Sequence, residues 1–252
     1  MSIKSFQDKV AVITGGGSGI GRELALALGE QGCHLALADV NAQGMQQTKR
    51  LLRGRGLKIS LHTTDVSDKQ AMKVLAEEVI ARHGRVNLLF NNAGITISRT
   101  FEHHSLADWE KIIGINLWGL IYGCHFFLPH LQRQANEAHI INLSSMVAFV
   151  GPPSQTSYST TKAAIKGFSE SLWAEVHSEG IGVTVVHPGA IKTAIMDEAA
   201  RSADYPEEFA KTRALVDKIA MPADKAANCI KTKYRKDADH ALRGGGWAEG
   251  MV

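Results

Sequence analysis

Short, almost uninterrupted apolar runs alternate with longer stretches of helical periodicity along most of this chain. VAVIT (10–14), HLALAD (34–39), LKISLHT (57–63), VNLLF (86–90), HIINLS (139–144) and VTVVH (183–187) read as strands. Residues 19–31, 41–54, 68–83, 105–133 and 157–179 carry apolar positions at helical spacing. Ser67 or Asp68 caps the third of these, and Ser105 with Asp108 at its N3 position suits a capping box on the fourth. Gly114 and Asn116 interrupt the 105–133 stretch, which predicts two helices there. Strands apolar on both faces need helices on both sides, and a parallel sheet with crossover helices supplies them. The pattern predicts one α/β domain over residues 1–252, a doubly wound parallel sheet flanked by helices.

Beyond His187 the alternation fails. Residues 190–220 hold helical pieces and no strand, and are expected to be an insertion covering a site. Residues 237–252 are glycine-rich, with no convincing strand, and are expected to form an irregular tail. Composition changes this picture little. A net charge of +3 is too small to argue for a nucleic-acid partner. No segment is expected to approach the roughly 18 uncharged apolar residues that a membrane span needs, and the N-terminus is expected to be no secretory signal. Cys33, Cys124 and Cys229 are widely separated and odd in number, which favours a reduced, cytoplasmic setting. His103, His104 and His187 are not spaced as metal ligands, so no metal is expected.

Two places carry chemistry. VAVITGGGSGIGRELALAL is a strand, a glycine turn and an amphipathic helix in succession. Gly15, Gly19 and Gly21 let the backbone approach a pyrophosphate, whose charge would face the amides of a helix N-terminus. Asp39 ends the second strand, where a carboxylate accepts ribose hydroxyls and repels a 2′-phosphate; NAD is therefore expected over NADP. Arg22 is expected to point along its helix toward solvent. The second place is Tyr158 with Lys162, four residues on and so on the same helical face. An ammonium beside a phenol would lower the phenol's pKa and ready it for proton exchange with an alcohol or carbonyl. Ser145 and NNAG (91–94) close strands at sheet ends, and Asn116 lies in an apolar run where an unbonded amide is costly. Ile97, Met146, Phe149, Ile195 and Met196 are expected to border an apolar substrate.

TGGGSGIG (14–21), NNAG (91–94), Asn116, Ser145, Tyr158 with Lys162, and HPG (187–189) with Thr193 together resemble the short-chain dehydrogenase/reductase superfamily. The resemblance covers about residues 8–195. It implies a Rossmann-type fold, a nicotinamide cofactor and reversible alcohol–carbonyl interconversion. It implies cofactor contacts from the glycine loop (Gly15, Gly17, Ser18, Gly19, Ile20), from Asp39, and from Asp65 and Val66 near the adenine. Asn92, Ala93 and Gly94 would follow, with Asn92 near a ribose, then Pro188 and Gly189, and Ile191 with Thr193 near the carboxamide. By the same match Tyr158 is the acid/base, Ser145 binds the substrate oxygen, Lys162 binds the nicotinamide ribose, and Asn116 holds a relay water. Such proteins usually close with one more strand, which here is expected to be missing or degenerate. A homodimer or homotetramer is implied. Two alternatives stay open: an NADPH-dependent carbonyl reductase, and a non-catalytic dinucleotide-binding sensor.

Overall fold

The computed structural model describes residues 5–241 and 249–251. Its first half alternates β1 (Val10–Thr14), α1 (Gly19–Gly29), β2 (His34–Asp39), α2 (Ala42–Leu51), β3 (Ile59–Thr63), α3 (Lys69–His83) and β4 (Leu88–Asn91). The second half carries α4 (Leu106–Ile113), α5 (Gly119–Gln132), β5 (Ala138–Leu143), α6 (Thr156–Val176) and β6 (Ile181–His187). After it come β7 (Ile191–Lys192), α7 (Ile195–Ser202), α8 (Pro206–Ile219), β8 (Met221–Pro222), α9 (Ala223–Ala241) and β9 (Glu249–Met251). Seven parallel strands pair in the order β3-β2-β1-β4-β5-β6-β9. The predicted doubly wound sheet is the one observed.

Alternate residues of each strand feed opposite cores. Val12, Leu89, Ile140 and Val185 pack on the side of α3, α5 and α6. Ala11, Ile13, Phe90 and Ile141 pack with Leu24, Leu28 and Ala227 of α1 and α9. This is why the strands are apolar on both faces. Strand order reverses between β1 and β4, with Ile13 paired to Phe90. The carboxyl ends of these two strands therefore open a crevice at the top of the sheet, the usual place for a ligand in such folds.

The caps follow the side chains available. Asp68, rather than Ser67, caps α3 by accepting from the amides of Gln70 (2.7 Å) and Ala71 (3.1 Å). Ser105 and Asp108 form the expected reciprocal box on α4. The predicted break after α4 is instead a π-helical turn, Gly114–Trp118, which keeps the helix continuous into α5. The wider turn carries Asn116 on its inner side, buried to 1% exposure.

Three expectations need correction. Residues 190–220 do contain strand, since β7 pairs in parallel with β8 at the base of the α7–α8 segment. The region expected to be an irregular tail is helical to Ala241, and Glu249–Met251 pairs with β6 from Val185 to His187. The closing strand is thus present in a three-residue form; the rest of the supposed tail lies outside the described residues. Lastly, among the described residues one helical run, Leu106–Gln132, is long and apolar enough to cross a membrane. It carries no Asp, Glu, Lys or Arg from Ile112 onward. One side of it serves the core, with Leu120, Phe127 and Leu131 buried against the sheet.

Phe127 is fully enclosed among these residues. Phe127→Ala should lower the unfolding free energy by about 3–5 kcal/mol. Urea denaturation would read this as a lower midpoint with an unchanged slope, and a loss below about 1 kcal/mol would contradict this packing.

Candidate active site

The glycine turn is shaped by what surrounds it. Gly15 takes a φ of 68°, and a Cβ on Gly21 would stand 2.1 Å from the Gly15 carbonyl oxygen, so neither position tolerates a side chain. The Gly17 amide donates to Asp39 Oδ2 at 2.9 Å, and the Asn41 amide donates to Asp39 Oδ1 at 2.8 Å. Thr48 Oγ1 donates to the Gly16 carbonyl at 3.0 Å. Arg22 does not reach for solvent, as expected from its place in the helix. Its guanidinium turns back to the Gly17 carbonyl, to Thr48 Oγ1 (3.1 Å) and to Gln47 Oε1 (3.2 Å). These unmet backbone and side-chain acceptors hold it more strongly than its helical position directs it outward.

The second strand of the crevice is fastened to the first by Thr14, which sequence reasoning overlooked. Its hydroxyl accepts from the amides of Asn92 and Ala93, both at 3.0 Å, and donates to the Phe90 carbonyl at 3.3 Å. Asn92 Nδ2 donates in turn to the Thr14 carbonyl at 2.9 Å. NNAG is thereby welded to the end of β1.

Tyr158 and Lys162 rise on the first turns of α6, beside the end of β5. Lys162 Nζ donates to the Leu143 carbonyl at 2.9 Å, and Ser144 Oγ donates to the Lys162 carbonyl at 2.7 Å. This reciprocal clamp fixes α6 on the strand; Ser144, the first of the two serines closing the strand, is its other overlooked partner. Further along α6, Asn91 Nδ2 donates to Asn142 Oδ1 (2.9 Å), and Asn142 Nδ2 donates to Ser169 Oγ (3.0 Å). Asn116 bonds to protein through both ends of its amide: it exchanges two hydrogen bonds with the Ile95 backbone, both 2.9 Å, and donates to Thr161 Oγ1 at 3.2 Å. Asn116 Oδ1 and Lys162 Nζ flank Gly94, 3.2 and 3.6 Å from where a Cβ would stand.

Electrostatics depart from the expectation at this point. Burial pushes the Tyr158 phenol up to about 12, with a hydrogen bond to Ser145 pulling the other way. Burial likewise pushes the Lys162 amine down to about 8. The amine stands 5.5 Å from the Tyr158 ring centroid and is directed at the Leu143 carbonyl. Lost hydration outweighs the Ser145 hydrogen bond, so the phenol is raised rather than lowered.

A cavity of about 610 Å³ joins these parts. Asn92, Gly94, Ser145, Tyr158, Lys162, Pro188, Gly189, Ile191 and Thr193 line it together with Ile20. Gly15, Gly17, Ser18 and Gly19 form the turn before Ile20 and Asp39 ends β2, while Asp65 and Val66 lie past the end of β3; none of these seven residues, nor Ala93, lines the cavity. Of the expected substrate neighbours, Ile195 and Met196 line it and Ile97, Met146 and Phe149 do not. Ile97 is buried in the protein interior, Met146 opens the short turn after Ser145, and Phe149 packs on His187, ring centroids 4.6 Å apart. Overlooked residues fill the wall: Thr96 donates to Gln155 Oε1 at 2.9 Å, and Ala199, Asp204 and Phe209 come from the α7–α8 segment. Among the described residues no His, Cys, Asp and Glu group forms a metal site.

A glycine turn at a topological switch point, joined by one crevice to a Ser–Tyr–Lys cluster, defines a nucleotide-binding oxidoreductase class of site. The family model for short chain dehydrogenases matches residues 9–204. SadH of Mycobacterium tuberculosis, provisionally named an oxidoreductase, is 41% identical over 199 residues, covering 78% of this chain and 72% of its own. A cyclohexanol dehydrogenase of an Acinetobacter species is 32% identical over 195 residues, covering 77% of each. The crystal structure of a short chain dehydrogenase/reductase from Burkholderia phymatum in complex with NAD superposes with a TM-score of 0.83 at 29% identity, over 92% of this chain and 88% of that one. The chain belongs to the short-chain dehydrogenase/reductase family, whose members are oxidoreductases acting on CH–OH groups.

The lowered Lys162 pKa makes a stability prediction. Between about pH 8 and the ordinary 10.5, the unfolded chain keeps the amine's proton and the folded protein has lost it, so stability rises with pH across that window. Measured against Lys162→Met to cancel other titrations, the native protein should gain about 3 kcal/mol from pH 8 to 10.5. A flat difference would mean that the amine is hydrated.

Proposed function

We propose that this protein interconverts an apolar secondary alcohol and its ketone, with NAD(H) as hydride partner and Tyr158 as the acid/base. The observation that carries this reading is one cavity lined at once by Tyr158, Ser145 and Lys162 and by the crevice residues Asn92, Gly94, Gly189 and Thr193.

The fit to a dinucleotide rests on this chain's own features. The glycine turn has no room for a side chain, and Asp39 stands against it at the end of β2. Its carboxylate would take the adenosine ribose hydroxyls and repel a 2′-phosphate; Arg22 is spent on Gly17, Thr48 and Gln47. Asn92 and Lys162 would hold the second ribose, and Ile191 and Thr193 the carboxamide end. NAD(H) supplies the hydride acceptor or donor when bound.

The protein's own task is then to place the reacting carbon and manage one proton. Ser145 hydrogen-bonds Tyr158 and would share that role with the substrate oxygen. With the phenol held protonated at neutral pH, the arrangement in hand is the proton-donating one, suited to carbonyl reduction. Alcohol oxidation needs the phenolate, so its rate should rise with pH through the alkaline range. Asn116 Oδ1, beside Gly94 and Lys162, retains acceptor capacity for a relay water. Apolar Ile195, Met196 and Phe209 favour an apolar substrate body. The similarity to a cyclohexanol dehydrogenase supports a secondary alcohol.

Assembly as a homo-oligomer is part of the proposal. Trp118 of the π turn, 47% exposed, stacks on Tyr122 of α5 at 5.5 Å, and this aromatic pair suits a second copy. A cytoplasmic setting suits three free thiols.

Tyr158→Phe decides the matter: NAD affinity should be kept and turnover should fall at least ~10²-fold, the usual scale for an acid/base. Steady-state assays over a panel of secondary alcohols and ketones, with NAD and NADP species compared, would check it. A variant that keeps most of its rate would overturn the assignment.

A further inference from the structure

The α7–α8 segment covers the substrate end of the cavity with little packing of its own. No residue of α8 is fully buried, and in α7 Ala199 is the one side chain buried to 2% among those described. The two helices are joined to each other by Arg213, which donates to Asp197 Oδ1 at 2.7 Å. At its base the segment is held by the short β7–β8 pair. A flap with so small an apolar anchor depends on whatever fastens its far end.

That fastening is polar and concentrated at the turn between the helices. Asp204, with a side chain only 16% exposed, accepts from the Thr100 amide at 2.8 Å and from the Thr100 hydroxyl at 3.3 Å. His103 Nδ1 is 3.3 Å from the same Oδ2, and Arg99 Nε lies 3.9 Å from Oδ1. Two residues earlier, Ser202 Oγ accepts from the Ser98 amide at 2.9 Å, and the Ser202 carbonyl accepts from Arg99 Nε at 3.3 Å. The wall that receives these bonds is itself fixed. Arg99 donates from its amide to the Ser154 carbonyl at 3.0 Å and from Nη1 to Asp108 Oδ2 at 3.1 Å. Ser154 lies just before α6, the helix that carries Tyr158, and Ser98, Ser154 and Asp204 all border the cavity.

We infer that Asp204 is a positioning residue: its carboxylate latches the α7–α8 flap to the Ser98–His104 wall and so sets how tightly substrate is held, leaving the nucleotide end of the crevice unaffected. This rests on the cavity being the substrate site proposed above. Burial works against the charge on Asp204, yet the Thr100 amide and the His103 ring hold the carboxyl below its ordinary range, so the latch stays ionised at neutral pH. Asp39 and Asn92, at the nucleotide end of the proposed site, share no bond with it.

Two measurements on the full chain test the latch. Thermolysin should cut Asp204→Ala within residues 203–219 at least about tenfold faster than the native protein, because cleavage follows the population of the released flap. In steady-state assays the same variant should raise substrate KM at least about tenfold, with NAD affinity, read by protein fluorescence titration, within about twofold of native. Asp204→Glu should recover part of both effects, and Arg99→Met should fall between. Cleavage at the native rate, or NAD affinity lost in step with substrate affinity, would overturn the inference. A native protein that turns over no alcohol or ketone would strike the proposed activity alone, and the proteolysis would still decide the latch.

Discussion

The dehydrated amine of Lys162 is the constraint from which the rest of the site follows. An ammonium at 4% exposure needs a strong acceptor, and the one it finds is the Leu143 carbonyl at the end of β5. That bond pins α6 to the strand, and Ser144 closes the clamp from the other side by donating to the Lys162 carbonyl. Once α6 is seated, Tyr158 has one place to be: beside Ser145, at the mouth of the crevice. The same burial sets the chemistry, because it disfavours charge on both groups and leaves a protonated phenol beside an amine that gives up its proton easily.

The sheet makes this placement possible by reversing its strand order between β1 and β4. Two loops that are far apart in the chain end side by side there, and each is stiffened by hydrogen bonds that leave no slack. Asp39 of β2, Thr48 of α2 and Arg22 of α1 hold the glycine turn, while Thr14 holds NNAG from β1. The π-helical turn around Asn116 completes the frame by linking Ile95 to Thr161 on α6. A cleft built this way is preformed, so the protein need not reorganise to bring a hydride partner and a proton-transfer group together.

Much of this was legible in the sequence because it is local. The strand–turn–helix of residues 10–29, the capping box at Ser105, and the shared face of Tyr158 and Lys162 all follow from spacing a few residues long. What was not legible depends on long-range partners or on hydration. The π turn keeps the chain helical through i→i+5 backbone bonds, which the residue types of Gly114–Trp118 do not distinguish from a break. Arg22 was misdirected because its acceptors, Thr48 and Gln47, belong to another helix. The closing strand escaped notice because three residues, two of them Glu249 and Gly250, carry no apolar alternation. The Tyr158 shift has the wrong sign in a reading that counts a neighbouring charge and omits the water lost from both groups. The latch at Asp204 joins residues about a hundred positions apart, which no pattern in one chain reveals.

The most direct test of the central claim is the titration of Tyr158 itself in the nucleotide-free protein, followed by carbon NMR of a labelled phenol ring, with and without Lys162→Met. The account predicts a phenol that stays protonated well past its ordinary value of 10, toward about 12, and that moves little when the amine is removed. A phenol that titrates near neutrality, and that climbs once Lys162 is gone, would show that the neighbouring charge and not the loss of water governs the site.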